Sequence, residues 1–246
     1  MGNAIVHFEL NGPDAEQTAK FYSELFGWHV QTVPQGGYHL IDTHGGGGMN
    51  GGIGQTREGQ PSSVVFYVET PDIQATLDKA ESLGAKTVVP LTEMEMVTFA
   101  LFADPDGNAI GLVQSDPGQQ GPGVSAGSNP RVDWVEVLGG DPKRAWDFYR
   151  NLFGWSIKES SGEGYQYGEL DTGAGSGAAG GIGSSRDGNP RVNVYALVDD
   201  LAKYLERAEG LGGKTTMQPM KVGEGTAIAM LQDPQGTTLG LYTHQH

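Results

Sequence analysis

An octapeptide occurs twice in this chain. FYSELFGW at Phe21–Trp28 returns as FYRNLFGW at Phe148–Trp155, and the correspondence runs well beyond those residues. Glu9 aligns with Glu136, Asp14 with Asp141 and Tyr38 with Tyr165. GGIG at Gly51–Gly54 returns at Gly180–Gly183, LGAK at Leu83–Lys86 returns as LGGK at Leu211–Lys214, and DPDG at Asp104–Gly107 returns as DPQG at Asp233–Gly236. A duplicated pattern constrains the fold more than any single motif, because both copies must bury equivalent faces in one architecture built twice. The expected domains are 1–114 and 131–246. Between them 115–130, SDPGQQGPGVSAGSNP, has almost no apolar side chain to bury and reads as a flexible linker.

Hydrophobic period orders each copy. Ile5–Leu10 reads as a strand, and Asp14 caps a helix with Gln17 placed to reach back. In the second copy Asp141 is followed by Pro142, whose fixed φ suits the first helical position. Ala15, Thr18, Ala19, Tyr22, Leu25 and Phe26 share a helical face, and Gly27 supplies the left-handed stop. Trp28 and Trp155 close this pattern and read as core. Strands follow near Tyr38–Asp42 and Ile53, and a second unit repeats the order, with Ile73, Leu77 and Ala80 in phase on its helix. The second copy repeats this stripe as Leu201, Tyr204, Leu205, Ala208 and Leu211. Each copy is thus βαβββ twice. Two such units side by side leave one sheet face uncovered, so a concave mixed sheet with a cavity on its inner face is expected.

Composition excludes several classes of function. With no cysteine, disulfides, zinc ribbons, iron–sulfur ligation and thiol nucleophiles are ruled out. Thirty acidic against 15 basic residues give a net charge of −15 and a field that repels nucleic acid and anionic lipid. Neither a signal peptide nor a membrane-spanning run is legible, so a cytoplasmic protein without nucleic-acid or membrane partners is expected. No G-x-S-x-G elbow occurs, and the GxGxxG match at Gly46, Gly48 and Gly51 lacks the strand-turn-helix context a phosphate loop needs. The glycine-rich segments 45–54 and 173–183 read as a flap at the cavity mouth or a long hairpin, with the hairpin preferred.

The aromatic-Tyr-x-x-x-Phe-Gly-Trp helix end, the LGAK or LGGK turn and the D-P-x-G hairpin resemble the vicinal oxygen chelate superfamily. That superfamily holds glyoxalase I, extradiol dioxygenases and bleomycin-resistance proteins, and the chain is similar to the tandem glyoxalase-like proteins of actinobacteria. The resemblance implies an α+β fold of two tandem vicinal-oxygen-chelate domains. It leaves activity open, because one scaffold hosts isomerases, lyases, dioxygenases and drug binders.

The resemblance also implies where a divalent metal would bind: a His or Gln on the first strand, a second ligand opening the second unit, and Glu on the strands that end the units. His7 falls at the first position, Ser63 near the second, and the terminal Ile-Glu-Leu reads Ile110, Gly111, Leu112. The second copy presents Trp134, Asn193 and Gly240. Glycine donates nothing, so no metal site and no cofactor are expected. His39 and His44, beside a glycine-rich turn, are expected to be exposed.

Strand alternation puts His7 and Glu9 on one face and repeats this as Trp134 and Glu136. A carboxylate beside a ring in a partly dry cleft can act as acid, base or hydrogen-bond acceptor, which makes Glu9 and Glu136 the candidate catalytic pair. Equally, both carboxylates can anchor backbone amides or pair with a basic residue. Tyr38, Tyr165 and Tyr167 join His7 and Trp134 as candidate ligand-binding residues, with strand packing as their alternative.

The expected function is metal-independent binding of a small, partly apolar or aromatic metabolite, for sequestration or resistance. The alternative is a glyoxalase-like lyase or isomerase, or metal-free proton transfer by Glu9 or Glu136. The expected partner is a small molecule, and the expected assembly a monomer with intramolecular domain packing or a weak homodimer.

Overall fold

A computed structural model of the protein describes residues 3–34, 37–95, 97–114, 124–162, 165–223 and 225–244. Most of the expected linker, 115–123, and the terminal His246 lie outside the described residues. In the first copy β1 (Ile5–Gly12), α1 (Ala15–Phe26), β2 (His29–Thr32), β3 (His39–Asp42) and β4 (Asn50–Gln55) form one βαβββ unit. The second unit holds β5 (Ser63–Glu69), α2 (Ile73–Ser82), β6 (Lys86–Glu93), β7 (Thr98–Ala103) and β8 (Ala109–Gln114). The other copy repeats the order as β9 (Arg131–Gly139), α3 (Pro142–Phe153), β10 (Ser156–Gly162), β11 (Tyr165–Asp171) and β12 (Ala179–Ser184). It continues with β13 (Arg191–Leu197), α4 (Leu201–Gly210), β14 (Lys214–Gly223), β15 (Thr226–Gln232) and β16 (Thr238–His244). The two tandem domains each contain a curled eight-stranded mixed sheet, in the orders β2-β3-β4-β1-β5-β8-β7-β6 and β10-β11-β12-β9-β13-β16-β15-β14.

The helix signals act as their chemistry dictates. Asp14 accepts from the Gln17 amide at 3.0 Å, and Gly27 and Gly154 end their helices at φ +76° and +72°. Gln17 differs from the expected capping box, because its side chain donates to the Asp14 carboxylate itself at 2.7 Å. Phe21 was not part of the predicted stripe, yet it is buried with Tyr22, Leu25 and Phe26. A Cβ at Gly213 would press against its ring at 2.9 Å, so a residue of the second copy covers it.

That contact reflects the main departure from the linear reading. The chain forms two compact units that do not follow the copies: apart from strand ends, one gathers β5–β8 with β9–β12, and the other gathers β1–β4 with β13–β16. Within these units the repeated motifs bond reciprocally. Trp28 donates its indole N–H to the carbonyl of Pro130 at 2.7 Å, and Trp155 donates to Asn3 at 2.8 Å. The Met49 amide donates to Val132 at 2.8 Å, and the Ala178 amide donates to Ile5 at 3.0 Å.

The glycine-rich segments gain their meaning here. Each belongs to a long antiparallel hairpin, β3–β4 and β11–β12, the preferred of the two expectations, and each also meets the other copy: a Cβ at Gly48 would strike the Val132 carbonyl, and one at Gly177 the Ile5 carbonyl, so only glycine lets the two backbones meet. The end of the expected linker is likewise held. Ser125 bonds Asp42, the Asn129 amide donates to His44 at 3.2 Å and its side chain to Gly27 at 2.8 Å.

The D-P-x-G hairpins join the same scheme. Asp104, 5% exposed, accepts from the amides of Asp106 and Asn108 and from the Tyr149 hydroxyl, each at 2.9 Å. Burial still holds its carboxyl above the ordinary range. The counterpart hydroxyl of Tyr22 is buried without a hydrogen-bond partner among the described residues. Tyr149→Phe is therefore expected to cost about 1–3 kcal/mol in chemical denaturation, whereas Tyr22→Phe stays within about 0.5 kcal/mol of the parent. Equal losses in the two variants would show that the Tyr149–Asp104 bond contributes nothing particular.

Candidate functional site

Two half-sites arise where β1 and β9 each lie beside a glycine-rich strand. On β1, Phe8 and Leu10 are fully buried while His7, Glu9 and Asn11 lie half-buried on the other face, as alternation requires. Parallel pairing sets Glu9 beside Gly52 and Asn11 beside Gly54. The second GGIG glycine is obligatory here, because a Cβ at Gly52 would coincide with the phenol oxygen of Tyr38. Tyr38 thereby reaches His7, Oη to Nε2 at 3.2 Å, and Asn11 donates to Glu9 at 3.3 Å. Burial lowers the His7 pKa, and the nearby Glu9 carboxylate offsets part of that shift.

On β9 the same geometry carries different chemistry. Val135 and Val137 are buried, and Trp134, Glu136 and Leu138 form a half-buried face. Glu136 pairs with Gly181, over which the Tyr167 hydroxyl lies. Trp134 donates to that hydroxyl, which donates in turn to Glu136. Burial, then the Glu136 charge, drives the Tyr167 pKa far above the ordinary phenol range.

Tyr38 therefore corresponds to Tyr167 and not to Tyr165, the partner given by linear alignment. The separation between equivalent residues grows from 127 at Trp28 and Trp155 to 129 at Gly51 and Gly180, so two extra residues shift the register between them. Tyr165 is 54% exposed on the same face of β11 and stands apart from the hydrogen-bonded trio. His39 is also corrected: it is 7% exposed, since it shares the inward face of β3 with Ile41, and its Nδ1 lies 3.1 Å from Thr32 Oγ1. His44 is half-buried, 3.5 Å from Asp42. A surface hollow of about 560 Å³ lined by Asp14, Glu16, Thr32, His39 and Gln55 includes neither His7 nor Glu9.

Tyr67 and Tyr195 are functional candidates absent from the sequence reading. Tyr67 pairs with Gly111 and Tyr195 with Gly240, and in both places the ring occupies the space of a glycine Cβ. A donor-less glycine opposite a strand tyrosine was the available signal. At the two positions where the resemblance calls for carboxylates, Gly111 and Gly240, a ring atom stands 2.2 Å from where a Cβ would lie. Counting back from the two tyrosines, Asn193 corresponds to Val65 and not to Ser63, and valine is no ligand either. His7 is left as the single family-type donor, and among the described residues no three His, Asp or Glu side chains are grouped to hold a metal ion. The residues present do not fit the superfamily's divalent ion.

The depressed His7 pKa couples to stability. The native state resists protonation of this ring, so its contribution is complete above the unfolded value of 6.5 and is lost as pH falls from there toward the lower native value. Denaturation midpoints measured across that window are expected to fall less steeply in His7→Gln than in the parent. Identical slopes would assign the loss to other groups.

The glyoxalase/bleomycin resistance protein/dioxygenase superfamily profile matches residues 4–112 and again 131–241. The anthracycline biosynthesis protein DauV of Streptomyces sp. (strain C5) is 29% identical over 254 residues, which is 93% of this chain and 89% of that protein. Among solved structures, the 2,3-dioxygenase LapB from Pseudomonas sp. KL28 superposes with TM-score 0.70 at 12% identity, covering 100% of this chain and 94% of that one. The Mn(II)-bound glyoxalase from Novosphingobium aromaticivorans gives 0.68 at 12% identity, covering 98% and 82%. At such identities the structural likeness speaks for the fold, and the profile, matched over both copies, for the family. The chain belongs to the glyoxalase/bleomycin resistance protein/dioxygenase superfamily.

Proposed function

We propose that this protein binds a small, partly apolar or aromatic metabolite without a metal ion, for sequestration or resistance. The observation that carries the reading is the pair of buried tyrosine rings packed over Gly111 and Gly240, the positions at which the resemblance calls for carboxylate ligands. His7, Tyr38, Trp134 and Tyr167 supply half-buried rings beside Glu9 and Glu136, and Tyr165 extends that surface outward along β11. Such surfaces combine apolar area with a few fixed polar groups, the usual make-up of a small-molecule site. The similarity to a protein named for anthracycline biosynthesis supports an aromatic ligand.

A second reading retains catalysis. The close approach of His7, Tyr38 and Glu9 could move a proton, as an isomerase or lyase of the glyoxalase type requires. Turnover of a 2-oxoaldehyde adduct that survives EDTA and disappears in Glu9→Gln at unchanged melting temperature would favour it.

The binding reading is tested by titration calorimetry with 1,4-naphthoquinone and 2-naphthol after dialysis against EDTA, alongside metal analysis of the untreated protein. Saturable heat that EDTA leaves unchanged is expected. Near-stoichiometric Mn, Fe, Ni or Zn that is lost in His7→Ala would overturn it. A further consequence is steric: Gly111→Ala must displace the Tyr67 ring and is expected to cost about 1–3 kcal/mol. An unshifted melting temperature would show that the ring does not fill that space.

A further inference from the structure

The geometry points to a second binding site in the first copy, on the helix-covered face of β2–β4, that takes a small organic ammonium ion. It goes beyond the binding reading above and shares no residue with it.

Strand alternation separates the two places. Tyr38 reaches His7 on the open face of the sheet, so His39 and Ile41 turn the other way, toward α1. The hollow of about 560 Å³ lies on this side, at the start of α1, and Asp14, Glu16, Thr32, His39 and Gln55 line it. Its volume is in the range of small-molecule sites. The other copy fills the equivalent place with a core ring. Trp146 stands where the first copy has Ala19, and Gly168 where it has His39. A Cβ at Gly168 would lie 2.7 Å from the Trp146 indole nitrogen, which donates to the Ile182 carbonyl at 2.9 Å. Lys143 takes the place of Glu16. The first copy thus exchanges a large ring for a small side chain and a cation for a carboxylate at one spot.

The polar groups around the hollow set the class of ligand. Asp14 and Glu16 are among the described residues that line it, and no Lys or Arg is. The Gln17 backbone amide and side chain donate to Asp14 at 3.0 and 2.7 Å, and these bonds hold its carboxyl below the ordinary range, so it is charged at neutral pH. His39 is 7% exposed; its Nδ1 lies 3.1 Å from Thr32 Oγ1, and its Nε2 has no hydrogen-bond partner among the described residues. When the Thr32 hydroxyl accepts from Nδ1, Nε2 presents a lone pair. Two carboxylates, an imidazole nitrogen and the Gln55 amide oxygen then all ask for donors. Among the described residues no three His, Asp or Glu side chains are grouped to hold a metal ion, so the fitting cation is an extended one whose N–H groups are spaced apart. Its bonds to the carboxylates are charge-assisted, and the net charge of −15 draws cations toward the surface.

A matched pair of probes tests this: 1,4-diaminobutane, and the uncharged 1,4-butanediol. Titration calorimetry on the full chain in low-salt buffer at neutral pH is expected to give saturable heat with the diamine and binding at least about tenfold weaker with the diol. Glu16 is exposed, and Glu16→Gln is expected to weaken diamine binding about fivefold at an unchanged melting temperature. Glu24→Gln, an exposed change in the last turn of the same helix, is expected to leave it within about twofold. In proton NMR the His39 ring resonance is expected to move with the diamine and to saturate at the same concentration as the heat. A diamine without saturable heat, a diol that binds equally, or an unmoved His39 resonance overturns the inference. Equal weakening in the two glutamate variants does so too, since it marks a diffuse acidic surface. Each of these results leaves the binding reading intact, because the aromatic probes report on the opposite face of the sheet.

Discussion

Trp28 gives its indole N–H to Pro130, and Trp155 gives its own to Asn3. Each bond joins the helix end of one copy to the residues just before the first strand of the other. Both indoles are buried, so an unmade bond would leave a donor without water or partner, at a cost comparable to a sizeable part of a domain's net stability. The remaining reciprocal contacts depend on this pair. Once the strand starts are held, the segments before β4 and β12 can reach Val132 and Ile5, and the Tyr149 hydroxyl can reach Asp104 of the opposite hairpin. The octapeptide and the D-P-x-G turn recur because each copy supplies what the other lacks.

Close approach governs the site as well. The GGIG strands are poor in side chains because rings occupy the space beside them: Phe8 over Gly51, Tyr38 over Gly52 and Tyr167 over Gly181. Gly111 and Gly240 obey the same rule beneath Tyr67 and Tyr195. A glycine at a ligand position is therefore half of a paired change, an emptied position and a ring that fills it. The same paired arrangement occurs in both copies.

The copies then diverge at two residues of the strand face. His7 and Trp134 occupy equivalent places, as do Asn11 and Leu138, while the carboxylate, the tyrosine hydroxyl and the glycine beneath it recur. An imidazole can change sides of a hydrogen bond and an indole cannot, so near-identical geometry yields two different chemical surfaces.

By itself the sequence determined the duplication, the βαβββ order, the caps and left-handed stops of the helices, the shared face of His7 and Glu9, and the loss of the carboxylate donors. All of these are local, since period, capping and turn chemistry are decided within a few residues. Only the tertiary structure decided which copy completes which unit, that Tyr167 and not Tyr165 matches Tyr38, that His39 is buried, and that Tyr67 and Tyr195 fill the glycine positions. Those outcomes depend on contacts between strands or between residues more than a hundred positions apart. There a two-residue insertion shifts the register without leaving a local trace, and the reason for a glycine lies in whichever side chain comes to rest against it.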